Sequence, residues 1–215
     1  MIPFLRSISE DLTTALHSRG QLRPFAENEQ VFAEGDKAAF LPIVISGRIK
    51  MIQFLEPGKE VILGIFEQGE MFAVPPVFDG KVYPSTAIAM VQSELLLLDR
   101  PVFLELIRQY DEFAFGVIGW MCEMLREKTS TIQNLATASP EHRVGHVLLK
   151  LAKRGKGDTP VKITVLRRDI AEMAGLTTET TIRVIRKFAD AGLIEIKNGK
   201  VFVDPAGPLS RRFTL

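Results

Sequence analysis

Residues 169–194 read DIAEMAGLTTETTIRVIRKFADAGLI, and this stretch decides the fold of the C-terminal third. Two short helical patterns meet here. The first covers about Arg167–Ala174 and stops at Gly175. The second opens after Thr177, a good N-cap, and runs to about Ala191, where Gly192 ends it. Helix, glycine-containing turn, helix at this separation predicts a helix-turn-helix. Its core would be Ile170, Met173, Leu176, Thr181, Val184, Ile185 and Phe188, with Leu193 and Ile194 beyond. The complementary face of the second helix carries Glu179, Ile182, Arg183 and Arg186 at 0, +3, +4 and +7, on one side, with Thr178 at the N-terminal lip.

Those residue types suit base reading. An arginine fork matches guanine O6 and N7, and a carboxylate accepts from a cytosine or adenine amino group. Phosphates repel a carboxylate, so Glu179 on this face argues for base contact over mere backbone affinity. A solvated Glu179–Arg183 pair at i, i+4 would leave the same pattern, and spacing alone does not choose between the two.

The flanks do choose. Residues 194–203, IEIKNGKVFV, predict two strands around Asn198-Gly199, a strong type I′ hairpin signal, with Lys197 and Lys200 making the tip cationic. Arg167 and Arg168 open the preceding helix, where positive charge opposes the helix dipole and a nearby phosphate would offset the cost. Upstream lie a strand at Val161–Val165, the loop Gly155–Pro160, and a helix over Glu141–Lys153 burying Val144, Val147, Leu148 and Leu151. Ser139-Pro140 supplies its cap and first-turn proline. A winged helix-turn-helix over 139–215 is the expectation.

The charge divides at the same place. The 215 residues carry 27 Lys+Arg and 26 Asp+Glu, a net +1. Residues 1–137 hold 12 against 18, net −6, and residues 138–215 hold 15 against 8, net +7. An acidic two-thirds followed by a basic third marks one domain as the partner of a polyanion.

Residues 31–98 read as strands: Gln30–Phe32, Phe40–Ile45, Arg48–Phe54, Glu60–Phe66, Thr86–Val91 and Glu94–Leu98, parted by turn signals such as Ser46-Gly47 and Asp79-Gly80. That spacing predicts a sandwich or barrel, giving an α+β chain with an N-terminal β-domain over 1–110. Helices at Asp11–Arg19 and Pro101–Gln109, the latter capped by Asp99, frame it. A longer helix follows over about 111–138. Ala114, Ile118, Met121, Leu125, Lys128, Ile132 and Leu135 give a 4-3-4-3-4-3 seam, a candidate dimer interface. Phe113, Val117, Trp120 and Met124 form a second stripe that would pack on the β-domain.

Other classes drop out on composition. Hydrophobic residues are 46% and charged residues 25%, an ordinary globular mix. The single Cys122 allows no internal disulfide and no cysteine-only metal centre within one chain. No apolar run approaches the ~18 residues of a membrane span, and the N-terminus has acidic residues where a signal peptide would be apolar, so a cytoplasmic protein without a membrane partner is expected. No nucleophile–base pair, metal cluster or phosphate-cradling glycine loop is evident, so no catalytic residue is assigned and an enzyme is not expected. His142 and His146 stand at i, i+4 without a third metal ligand.

With these residues in hand, the chain resembles the CRP/FNR superfamily of bacterial transcription regulators along nearly its whole length. FAEGDKAAFLPIVISGRIK (32–50) and GIFEQGEMFA (64–73) resemble that family's cyclic-nucleotide-binding-type β-roll. LREKTSTIQNLA (125–136) resembles the end of its dimerisation helix. DIAEMAGLTTETTIRVIRKFADAGLI resembles its recognition motif, in which a Glu and an Arg four residues later read the half-site, here Glu179 and Arg183. The resemblance implies a homodimer on an inverted-repeat operator, RNA polymerase as a partner, and an effector sensed in the β-roll.

The departures carry information too. Cyclic-AMP binders of this family have a Gly-Glu-Leu and an Arg-Ser/Thr-Ala segment around ribose and phosphate. Here stand Ala73-Val74-Pro75 and Tyr83-Pro84-Ser85-Thr86-Ala87, without that Glu or that Arg. A buried phosphate with no paired cation is expensive, which argues against cyclic AMP. Lys81 is the nearest other cation. The Pro-Ser-Thr-Ala run is similar to the FNR and nitric-oxide-responsive branch, yet the N-terminal cysteines of an FNR iron–sulfur cluster are absent. Some regulators of that branch bind haem, for which this chain offers His17, Cys122 and scattered methionines, none in a motif. In the recognition helix, Ile182 stands where FNR-type members usually have Ser, and Thr178 where cyclic-AMP-binding members have Arg. Met71, Phe72, Val74, Tyr83, Ser85, Thr86, Trp120 and Met124 are the candidates for an effector pocket, or else core. The alternative to a DNA-binding regulator is a cyclic-nucleotide-binding-like regulatory module whose basic domain binds protein or RNA.

Overall fold

The computed structural model describes residues 8–56, 59–137, 139–154 and 159–213, without the side chains of 55–56, 59, 127, 130–137 and 154. The residues fall into two compact units, Met1–Arg126 and Glu127–Leu215.

The first unit opens with α1 (Glu10–Arg19), whose N-cap Ser9 accepts at Oγ from the Leu12 amide. Then come β1 (Gln21–Phe25), β2 (Gln30–Phe32), β3 (Phe40–Ser46), β4 (Arg48–Glu56), β5 (Lys59–Glu67), α2 (Val74–Asp79), β6 (Thr86–Ala89), β7 (Ser93–Asp99) and α3 (Arg100–Gln109). The strands form two antiparallel sheets, ordered β1-β7-β3 and β2-β6-β4-β5. Side chains from the strands and from α1, α2, α3 and the start of α4 (Asp111–Thr137) share one core, with Leu12, Phe25, Leu41, Ile43, Phe72, Leu98 and Phe103 essentially inaccessible. Phe113, Val117 and Trp120 of α4 join it and Met124 packs at its edge, the use expected of that stripe.

The second unit contains α5 (Pro140–Arg154), β8 (Val161–Ile163), α6 (Arg167–Ala174), α7 (Thr178–Asp190), β9 (Glu195–Lys197), β10 (Lys200–Val203) and α8 (Pro208–Phe213). The strands pair in the order β8-β10-β9. Val144, Leu148, Ile163, Ile170, Val184, Ile185, Phe188, Val203 and Leu209 are its core, while Leu151, Met173, Leu176 and Leu193 sit at the rim, partly buried.

Several elements differ from the sequence expectation. β1, QLRPF, lacks an alternating pattern because it is an edge strand paired only to β7, where Pro24 costs no ladder bond. α2 starts on prolines and is too short for a helical period. α8 was not expected at all; Leu209 and Phe213 pack it on the second core. Asp99 sits at the N-cap of α3 but makes no side-chain cap bond. The predicted loop at 155–158 lies outside the described residues.

Candidate nucleic-acid interface

The turn between α6 and α7 is built locally. Gly175 takes φ 62°, a left-handed conformation that ends α6, and its amide donates to the carbonyls of Ala171 and Glu172. The Leu176 amide donates to Ala171 O at 2.9 Å, completing the cap. Arg143 of α5 donates from Nη1 to Gly175 O at 3.3 Å, fixing the turn from outside. Thr177 caps α7 by accepting from the Thr180 amide at 3.2 Å. α7 then buries Thr181, Val184, Ile185 and Phe188. From the other side of α7, Lys187 donates to Glu141 of α5 at 3.0 Å, and the Lys187 ammonium holds the Glu141 carboxyl below its usual range.

With that face fixed inward, the opposite face is presented outward. Glu179, Arg183 and Arg186 are exposed, and Thr178 and Ile182 are partly exposed. Glu179, Ile182, Arg183, Arg186, Lys187 and Asp190 line one shallow open depression. Among the described residues, Glu179, Arg183 and Arg186 carry no ion pair and no side-chain hydrogen bond. The i, i+4 pair that spacing alone would allow between Glu179 and Arg183 is not formed. Their charges are therefore available to an incoming ligand.

The flanking cations divide into engaged and open groups. Asn198 (φ 49°) and Gly199 (φ 72°) make the tight β9–β10 turn expected from the sequence. Lys197 pairs with Glu195 and lies 5.7 Å over the Phe202 ring, whereas Lys200 is exposed. Arg168 bonds Glu172 one turn on at 3.1 Å, which offsets part of the cost of two arginines at a helix start. Arg167 is partly exposed.

The effector-pocket candidates all lie in the first unit. Met71, Phe72, Val74, Tyr83, Ser85, Thr86 and Trp120 are buried and Met124 is half-buried. Tyr83 stacks on Phe32 with ring centroids 3.7 Å apart, and its hydroxyl donates to Phe40 O at 2.6 Å. Thr86 accepts at Oγ1 from the Glu34 amide at 3.0 Å. Ser85 Oγ and Trp120 Nε1 are buried without a hydrogen-bond partner among the described residues. Lys81 is occupied by Asp79 at 3.0 Å, and Arg100 donates to the carbonyls of Val77 and Phe78, at the end of α2.

On α4 the outer face is apolar. Phe115 is 72% exposed, Ile118 55%, Met121 37% and Leu125 66%. Lys128 and Cys122 are exposed and Ala114 is half-buried. The side chains of Ile132 and Leu135 lie outside the described residues. Phe115 was missed in the sequence because the seam was phased on Ala114. Of the weaker ligand candidates, His17 is exposed on α1 and His142 meets the Phe213 ring edge-on at 5.5 Å. Among the described residues no group of three His, Cys, Asp or Glu side chains could hold a metal, and no helix is long and apolar enough to cross a membrane.

Comparison with known proteins agrees with this architecture. The cyclic nucleotide-binding domain family matches residues 22–110, and the Crp-like helix-turn-helix domain family matches residues 142–207. A cyclic-nucleotide-binding-type β-roll carried with a Crp-like reading head defines a DNA-binding transcription regulator. The cyclic AMP receptor protein of Thermus thermophilus is 29% identical over 200 residues, covering 93% of this chain and 91% of that protein. The CRP-like cAMP-activated global transcriptional regulator of Mycobacterium tuberculosis is 27% identical, covering 89% and 88%. The structure of FixK2 from Bradyrhizobium japonicum superposes with a TM-score of 0.82 at 18% identity, covering 91% and 98%. The chain belongs to the CRP/FNR superfamily. The Crp-like match falls on the basic unit, which favours DNA over protein or RNA as its partner.

Proposed function

We propose that this regulator acts as a homodimer that reads an inverted-repeat operator through Glu179 and Arg183, under control of an effector other than cyclic AMP held in the β-roll. The observation that carries the reading is the outward face of α7, where Glu179, Arg183 and Arg186 stand without internal partners. Side chains left charged and unpaired on a helix of this type match the donors and acceptors of base edges. Thr178 at the helix start and Lys200 at the wing tip supply contacts beside them, with Arg167, Arg168 and Lys197 contributing charge at longer range. Two-fold symmetry sets the half-sites about one helical turn apart. The apolar outer face of α4 supports pairing with a second copy, since an exposed row of this kind is covered in stable proteins. The assembled dimer works in the cytoplasm and recruits or blocks RNA polymerase.

The relatives that bind cyclic AMP by name do not transfer that ligand to this chain. Val74 and Ser85 stand where the acidic and cationic residues are expected, and both nearby cations, Lys81 and Arg100, are engaged with the protein itself. The buried, unpartnered Ser85 Oγ and Trp120 Nε1 support an effector site among the core residues of the first unit. The effector shifts the balance between DNA-competent and incompetent dimers. Of the haem-ligand candidates, His17 and Cys122 are exposed on helices.

Titration against an inverted-repeat duplex selected from a random library, a scrambled duplex and single-stranded RNA tests the partner. Tight binding to the first alone is expected; equal binding to all three overturns the reading. Calorimetric titration with cyclic AMP is expected to give no heat of binding. Native mass spectrometry of protein purified from its own host reads the mass of any retained effector.

A further inference from the structure

The reading face of α7 is charged except at one place. Ile182 is partly exposed and lines the same depression as Glu179, Arg183 and Arg186. An apolar side chain set among charges on a DNA-facing surface loses water when the duplex arrives. Opposite a base amino or carbonyl group it would leave that group desolvated without a hydrogen bond. Of the four bases only thymine places an apolar group, its C5 methyl, in the major groove.

We infer that Ile182 is a specificity-determining residue that selects a thymine, through its C5 methyl, at one position of each half-site, separate from the position read by Arg183. The inference rests on the proposal above that α7 enters the major groove. It adds the base class at a position where hydrogen bonding cannot do the discriminating.

Full-length protein and a duplex enriched from a random-sequence library provide the test. Each thymine of the enriched site is replaced singly by deoxyuridine, which removes the methyl and leaves base pairing intact. One thymine per half-site is expected to respond, with Kd rising about fourfold for the loss of one buried methyl. Ile182→Ser is expected to abolish that response and, in a parallel enrichment, to lose the thymine while keeping the bases read by Glu179 and Arg183. Ile182→Val retains branched methyls and is expected to keep the response, which separates loss of contact from loss of folding. A preferred duplex with no methyl-sensitive thymine, or a response that persists in Ile182→Ser, overturns this inference alone. A library that yields no preferred duplex overturns the operator reading and this inference with it.

Discussion

Arg183 and Tyr83 show how far one residue's role depends on where its neighbours are. Arg183 is exposed and unpaired, so its removal leaves the fold alone. Arg183→Ala is expected to leave Tm unchanged while weakening operator binding by about 1–3 kcal/mol and relaxing preference at one base. Fluorescence anisotropy on the enriched duplex and its single-base variants measures both. Unchanged affinity would remove Arg183 from the reading head. Tyr83 is the opposite case. Its phenol is buried against Phe32 and donates to Phe40 O, and burial pushes its pKa up to about 12. The unfolded chain titrates near 10, so the contribution of Tyr83 to stability is complete below pH 10 and is lost as pH rises through 12. Tyr83→Phe is expected to cost about 1 kcal/mol at pH 8 and much less at pH 11. Urea unfolding at the two pH values checks this, and a cost that does not shrink would be the contrary result.

Elements depend on both local chemistry and distant contacts. The β3–β4 turn needs Gly47: its φ is 85°, and a Cβ there would lie 2.6 Å from Ser93 Cα. Both the left-handed backbone and the collision with another strand penalise a side chain. Gly47→Ala is expected to destabilise the first unit by at least about 2 kcal/mol, read as a fall in urea midpoint. The turn signal at Ser46-Gly47 was legible in the sequence; the approach of Ser93 was not. α4 shows the same division. Its helical character and its two apolar stripes were readable from spacing. Which stripe is inward was decided by Phe113, Val117 and Trp120 finding the β-roll core, which left Phe115, Ile118 and Leu125 outside. Replacing Phe115 and Leu125 together by Glu is expected to convert a dimer to a monomer at micromolar concentration in analytical ultracentrifugation, with the β-roll still folded. A doubly substituted protein that stays dimeric would move the interface elsewhere.

For the whole molecule, the sequence determined those properties that depend on near neighbours. The helix-turn-helix, its Gly175 turn, the Thr177 cap, the Asn198-Gly199 hairpin and the candidate reading face all rest on residues within a few positions of each other, where backbone sterics and helical period act directly. The charge division between the acidic first two-thirds and the basic remainder was likewise fixed by composition. Tertiary structure decided what local patterns leave open. It paired the edge strand β1 with β7, docked α8 by Phe213, and set Lys187 of α7 on Glu141 of α5. It left Glu179, Arg183 and Arg186 unspent. The reason is physical. A charge acts on a partner only if no nearer one neutralises it, and the nearest partner of Lys187 is 46 residues away along the chain. Distance in space, which only folding sets, therefore separates Lys187, which ties α7 to α5, from Arg183 and Arg186, which stand open to solvent.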